Sequence, residues 1–233
     1  MIAPPNSTSE TMLRAVAYTI AALNAATAID IEATPDEKAF FTAKKEELQK
    51  LLEKLLEANE ALNKYTLTET VSLQASVQLG DKVLEKGIRT AKARIKLELE
   101  NIKDDAADFV FGSNLSSLLE EELRKKPAAV AKAVLKIDSI PDFPGKEKLK
   151  NQLEERIKQQ EQALLDRDQG EQARAKLTTN LAVEISASSE ALYKLEKELL
   201  GLFPRERAYV KQFFYDVAPN RKSKARQPPP SST

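Results

Sequence analysis

Apolar residues recur three and four positions apart along several segments, and this spacing restricts the fold more than any other feature of the sequence. The clearest series between residues 35 and 65 is Phe41, Leu48, Leu55 and Leu62. Such spacing gives a helix one apolar side that packs against neighbouring helices. Only 6 of the 233 residues are glycine, which suits long helices. The sequence therefore predicts an all-α fold, an elongated up-and-down bundle of about five main helices with coiled-coil-like packing.

The most apolar stretch, residues 15–31, is predicted to be a bundle helix and not a membrane span. A transmembrane helix needs about 20 predominantly apolar residues, whereas Thr19, Asn24 and Thr27 interrupt this one. A secretion signal needs an early basic region, and no basic residue precedes Arg14. We expect a first helix over residues 8–30, capped by Ser7 or Ser9. Its packing seam is Leu13, Val16, Ile20 and Leu23.

Two segments have the pattern of a helix start. Thr34 and Glu37 form a capping box with proline between them, and residues 66–69 have the same Thr-x-x-Glu spacing. The second is predicted to open a very long helix that ends near Phe109, before the Gly-Ser-Asn at 112–114. Its apolar stripe is Ile88, Ala91, Ile95, Leu99, Ile102, Ala106 and Phe109. Gly80 and Gly87 lie one heptad apart inside it, either at a close helix contact or at a weak point.

Proline and glycine residues indicate where the remaining helices end and where loops lie. Residues 112–145 read as a connection with two short helices and a loop at 138–145. A helix to about residue 168 is expected next, with a candidate turn at 168–170, although the helix could continue through it. A further helix then ends at Gly201, and Pro204 begins a short last one to about residue 217. The heptad series of that further helix is Leu177, Leu181, Ile185, Ser188, Leu192, Leu195 and Leu199.

The chain is predicted to form a single helical-bundle domain over residues 1–217 and a disordered, basic, proline-rich tail over 218–233. Within the domain, 35–111 and 146–217 each read as a long hairpin, joined by 112–145. Similar aromatic endings raise the alternative of an internal duplication, which the sequence alone does not decide.

The composition excludes several chemistries. The chain contains no histidine and no cysteine, so histidine zinc sites, thiolate nucleophiles and serine–histidine triads are absent. The formal net charge is zero, with 36 basic and 36 acidic residues, which gives no strong signal for nucleic-acid binding. We therefore expect no catalytic residue, no cofactor and no bound metal.

One acidic motif runs against that expectation. Asp104, Asp105 and Asp108 have the DDxxD spacing, which resembles the motif that isoprenoid synthases use to hold Mg²⁺ and a diphosphate. Carboxylate oxygens are the ligands that Mg²⁺ prefers. No second acidic motif and no arginine–tyrosine pair for a diphosphate accompanies it, so the sequence is not assigned to that family.

Aromatic residues cluster near the C-terminal end, and they are the candidate partner-binding site. The cluster is Phe203, Tyr209, Phe213, Phe214 and Tyr215. It either plugs the end of the bundle or anchors a partner, since aromatic residues dominate binding hot spots. The basic residues that follow complete the candidate site: Arg221, Lys222, Lys224 and Arg226.

These observations favour a non-catalytic structural or protein-interaction bundle that acts through a partner or through self-assembly. The alternative is a membrane-acting bundle, a pore-forming or membrane-associating component, for which peripheral membrane contact stays open. A Mg²⁺-dependent diphosphate enzyme that uses the aspartate motif comes third. With neither a signal peptide nor a membrane span indicated, a cytoplasmic location is the default expectation.

Overall fold

The protein is all-helical in a computed structural model that describes residues 2–29 and 33–216. No strand occurs in these residues, which confirms the predicted all-α helical-bundle class. The helices are α1 (Ser9–Ile29), α2 (Pro35–Tyr65), a π-helical segment (Thr66–Thr70), α3 (Val71–Leu99), α4 (Ala106–Phe111), α5 (Leu115–Leu119), α6 (Lys126–Ile137), α7 (Lys146–Leu202) and α8 (Arg207–Lys211).

Local capping rules place the starts of the first two helices well. The Thr34 backbone N–H donates to Glu37 Oε2 at 2.7 Å, and the Glu37 N–H donates to Thr34 Oγ1 at 3.3 Å, so the predicted capping box is confirmed. The cap of α1 is Thr8, whose Oγ1 accepts from the Thr11 N–H at 3.2 Å. The prediction of Ser7 or Ser9 is therefore wrong by one residue.

Two predicted interruptions are helical instead. At residues 66–69 the chain continues as the π-helical segment, and no side chain caps the start of that segment or of α3. The Thr68 hydroxyl donates back to the Lys64 carbonyl at 2.9 Å. At residues 168–170 α7 continues without a turn, which confirms the alternative that the helix runs through this segment. The hairpins predicted over 35–111 and 146–217 lack the turns that they require.

Glycine occupies position 170 because neighbouring side chains pack closely against the backbone there, and not because the chain turns. The Tyr65 hydroxyl donates to the Gly170 carbonyl at 3.1 Å, and the Leu73 side chain occupies the space that a β-carbon would need. Glycine is thus the residue that lets these side chains reach the backbone of α7.

The long helix predicted to reach Phe109 ends earlier, at Leu99. Residues 100–105 are not helical, and α4 then ends at Phe111, before Gly112, where φ is +80°. Ile102 and Phe109, expected on the packed stripe, are 66% and 44% exposed. The turn brings Ala106, Ala107, Val110 and Phe111 into the hydrophobic core.

The chain divides into two compact units. Unit 1 comprises residues 1–63 and 176–233, and unit 2 comprises residues 64–175. This division differs from the predicted hairpin pair, and the predicted single domain stays a prediction. The largest fully buried side chains of unit 1 are Met12, Leu23, Phe41, Leu55, Leu192 and Leu199. Those of unit 2 are Leu84, Ile88, Ile95, Leu99, Ile137 and Leu153.

A buried ion cluster joins α3 to the start of α6 inside unit 2. Lys126 Nζ lies 2.7 Å from Asp81 Oδ1 and 3.0 Å from Glu85 Oε1. Burial lowers the pKa of Lys126, but the two carboxylates outweigh that effect and hold the pKa above its ordinary value of 10.5. The cluster fixes α6 at its first turn, which also contains Pro127.

Candidate functional site

The C-terminal aromatic cluster packs inside unit 1, and two of its members are buried. Phe213 and Phe214 are 3% and 7% exposed. The Phe213 ring centroid lies 5.7 Å from that of Phe41 and 5.2 Å from that of Tyr209. Tyr209 in turn meets Phe203 edge-to-face at 5.2 Å. Burial of the two phenylalanines favours the plug over the partner anchor for these residues.

The chain end is folded onto the bundle by a short turn after α7. The Phe203 N–H donates to the Leu199 carbonyl at 2.8 Å, and the Glu206 N–H donates to the Phe203 carbonyl at 3.1 Å. Proline at 204 does not continue the helix, and α8 begins at Arg207. Tyr215 then reaches α1, with its ring centroid 5.9 Å from that of Tyr18.

An ion pair between α2 and α7 lies close to the cluster in sequence. Lys44 Nζ lies 2.9 Å from Glu198 Oε2, 3.1 Å from Glu47 Oε2 and 5.7 Å from the Phe40 ring centroid. Burial lowers the pKa of Lys44, but the hydrogen bonds to Glu198 and Glu47 outweigh it and raise the pKa above 10.5. Lys44 therefore stays charged and holds α2 against α7.

The basic half of the candidate site lies outside the described residues. Its members are Arg221, Lys222, Lys224 and Arg226. The predicted tail at 218–233 lies there too, so both stay predictions.

An apolar groove opens beside the aromatic cluster, between α1 and α8. Its volume is about 470 Å³. The described residues that line it carry no charge, and they are Tyr18, Ala22, Ala25, Ala26, Ile29, Tyr209, Gln212 and Phe213. Ile29 is 75% exposed and Tyr18 is 42% exposed. The groove thus combines alanine side chains on α1 with aromatic rings from α8 and the residues that follow it, an arrangement that suits an apolar ligand surface.

Helix α1 has a second property. By length and composition it is the one helix among the described residues that is apolar enough to cross a membrane, with a mean hydropathy of 1.4 over its best window, of which 28% is buried. Met12, Val16 and Leu23 of the same helix are fully buried in unit 1. In this structure α1 therefore supplies core residues on one side and leaves an apolar side uncovered.

The aspartate motif is not arranged as one helical face. Asp104 and Asp105 lie exposed in the turn before α4, and Asp108 Oδ1 forms an ion pair with Lys92 Nζ at 2.8 Å. Over residues 2–29 and 33–216, no three acidic side chains are grouped as metal ligands.

Sequence reasoning missed the groove residues on α1. Ala22, Ala25, Ala26 and Ile29 follow the three-and-four spacing of a packing seam, beside the seam that was predicted. Because alanine is common on buried and exposed helix faces alike, this second seam becomes visible only once Tyr18 and Tyr209 are seen to border it.

No protein-family model matches the chain, and neither a curated protein nor a solved structure shows significant similarity to it.

Proposed function

We propose that this protein is a non-catalytic interaction protein that binds an apolar helical segment of a partner protein in the groove between α1 and α8. The observation that carries the proposal is that none of the described residues lining that groove is charged, in a chain of which 31% is charged. Protein interfaces are depleted in charge at their centres and enriched in aromatic residues.

The lining suits a helix more than a small molecule. Ala22, Ala26 and Ile29 share one side of α1, and the two small alanines allow a partner backbone to come close. Tyr18 and Tyr209 border the groove with rings that combine apolar area and a hydroxyl group, the combination found at binding hot spots.

The test uses two matched substitutions on α1. Ala25 lines the groove and Ala17 does not, and both are exposed. Partners are captured from a lysate of the source organism, and the affinity of a captured protein for the purified chain is then measured by calorimetry. Ala25→Glu should weaken binding by about ten-fold or more, since it buries an unpaired charge. Ala17→Glu should bind like the wild type. Equal binding by both variants would count against the groove.

A membrane-associating function is the second candidate, and the uncovered apolar side of α1 favours it. Vesicles of anionic and of zwitterionic lipid, loaded with a dye, separate the two functions. Release of the dye by the wild-type chain and not by Ala25→Glu would support membrane action. Partner binding without vesicle binding would support the first proposal.

A further inference from the structure

A row of exposed apolar side chains runs along the π-helical segment and α3, in unit 2. The row, here called the α3 row, is Leu67, Val71, Ala75, Leu79 and Val83, each four residues after the last. Leu67, Leu79 and Val71 are 73%, 68% and 57% exposed. Residues four apart in an α-helix drift by only about 40° around its axis, so the four members of the row on α3 share one broad face, and Leu67 precedes them in the π-helical segment.

The α3 row lies on the side of the helix opposite to the core. Val77 and Leu84 are buried at 2% and 0% exposure. At about 100° per residue, Val77 lies about 200° and Leu84 about 180° around the helix from Ala75. A surface helix normally presents polar and charged residues on that outer face. An apolar outer face therefore points to a second contact.

The segment around the centre of the α3 row also contains no charged residue. Residues 70–80 contain no charged side chain, between Glu69 and Asp81, in a chain that is 31% charged. Charge is depleted at the centres of protein interfaces and abundant on free surfaces. The gap in charge and the exposed leucines thus coincide on one segment.

We infer that the α3 row is a self-association surface on which a second copy of this chain packs antiparallel, with the two-fold axis at Ala75. At each distance from Ala75 the row has a valine on one side and a leucine on the other. Antiparallel pairing places Val71 of one copy against Leu79 of the other, and Leu67 against Val83. The small alanine at the centre lets the two helices approach closely, and the same patch serves both copies, as a two-fold interface requires.

The flanking charges agree with this pairing. Glu69 of one copy falls within one residue of the position opposite Lys82 of the other, which gives two symmetric attractive pairs. Lys82 is 72% exposed and already contacts Glu85 at 3.0 Å, and its ammonium group has donors left for a second carboxylate. Lys64 and Lys86 would face each other at the two ends, so their repulsion limits the contact to the row.

The inferred contact is small. Typical stable interfaces bury roughly 800 Å² on each partner, more than five side chains supply. We therefore expect a weak dimer whose population rises with protein concentration, measured by sedimentation velocity of the full chain from micromolar to submillimolar concentration. Leu79→Glu should stay monomeric throughout. Leu97→Glu is the matched control, because Leu97 is 73% exposed on the same helix but lies beyond the row.

Two further variants test the geometry. The chain has no cysteine, so Ala75→Cys should form a disulfide between copies under mild oxidation, and Leu97→Cys should not. Glu69→Lys should weaken the dimer, and Glu69→Lys combined with Lys82→Glu should restore it. Ala25→Glu, in the groove of the proposed function, should dimerise like the wild type, which keeps the two proposals separate.

Each failure has a definite meaning, provided that circular dichroism shows the variants to be folded. A wild-type chain that stays monomeric at every concentration overturns the inference. So does a dimer that tolerates Leu79→Glu, or an Ala75→Cys variant that forms no more disulfide between copies than the Leu97→Cys variant does.

Discussion

Lys126 shows how one residue can hold an element in place. Its side chain is 4% exposed and lies between Asp81 and Glu85, which are themselves 13% and 14% exposed. Removing one partner of a buried ion pair leaves the other charge uncompensated, which is costly even where the intact pair adds little net stability.

Lys126→Met should therefore lower the free energy of unfolding by about 3–5 kcal/mol, measured by urea denaturation. The matched control is the preceding residue, Lys125, which is 70% exposed and pairs with Glu122 at 2.6 Å. Lys125→Met should change stability by less than about 0.5 kcal/mol. Similar losses for both variants would mean that burial of the cluster contributes nothing.

Glu85 gives this cluster a pH dependence. Burial raises the pKa of Glu85, but the hydrogen bonds from Lys126 and Lys82 outweigh it, so the pKa lies below its ordinary 4.5. A lowered pKa in the folded state adds stability that is present above pH 4.5 and lost as the pH falls below that value. The stability difference between the wild type and Glu85→Gln should be constant near neutral pH and shrink in acid. A stability difference that grows in acid would mean that the pKa of Glu85 is raised in the folded protein and not lowered.

Phe213 tests the plug at the same scale. Phe213→Ala removes a ring that is 3% exposed, and such truncations cost about 3–5 kcal/mol. Phe109 is 44% exposed, with Lys103 Nζ 4.9 Å from its ring centroid. Phe109→Ala should cost less than about 1 kcal/mol. If Phe213→Ala keeps the wild-type melting temperature, the cluster is free to serve as an anchor.

At the scale of elements, α3 and α7 approach each other through glycine. A β-carbon on Gly80 would lie against the amide of Gln160, which is 1% exposed and whose Nε2 donates to the Val77 carbonyl at 3.3 Å. A β-carbon on Gly87 would instead meet the Arg156 side chain, which is long and less buried. The close-contact alternative is therefore the better account of this glycine pair.

Substitution of the two glycines by alanine should change the stability of the protein differently. Either substitution gains about 1 kcal/mol of helix propensity. Gly87→Ala should keep most of that gain, because the arginine can move aside. Gly80→Ala should lose it, because a buried amide must leave its hydrogen bond. Thermal denaturation of the two variants compares them directly, and a more stable Gly80→Ala would contradict the contact with Gln160.

At the scale of the whole molecule, each unit has its own core. Ile95 belongs to the core of unit 2 and Leu192 to that of unit 1, at 0% and 1% exposure. Local unfolding in proteins tends to follow such cooperative units. The chain passes between the units inside continuous helices, so hydrogen exchange is the measurement that distinguishes them.

Ile95→Ala and Leu192→Ala should each cost about 2–5 kcal/mol. Hydrogen exchange followed by mass spectrometry should show faster exchange mainly in residues 64–175 for Ile95→Ala, and mainly in unit 1 for Leu192→Ala. Lys54→Ala, at an exposed site of unit 1, should leave exchange unchanged. Equal acceleration everywhere in both variants would mean that the two cores unfold together.

Only part of the candidate site could be predicted from the sequence. The aromatic cluster could be found because its members lie within 13 residues, but the sequence left open whether Phe213 faces the core or a partner. The groove combines α1 with α8, which lie at opposite ends of the chain. No local pattern connects Ala26 with Tyr209.

The sequence by itself determined the helical class, the capping box at Thr34 and the stripes that contain Phe41, Ile95 and Leu192. These features depend on residues within one or two turns of each other, where spacing and capping chemistry suffice. The tertiary structure alone decided that the Thr-x-x-Glu at residues 66–69 continues a helix and that Gly170 lies inside one. The Tyr65 hydroxyl reaches the Gly170 carbonyl from 105 residues away, and a contact between such distant residues selects one of two local structures that the sequence pattern allows equally.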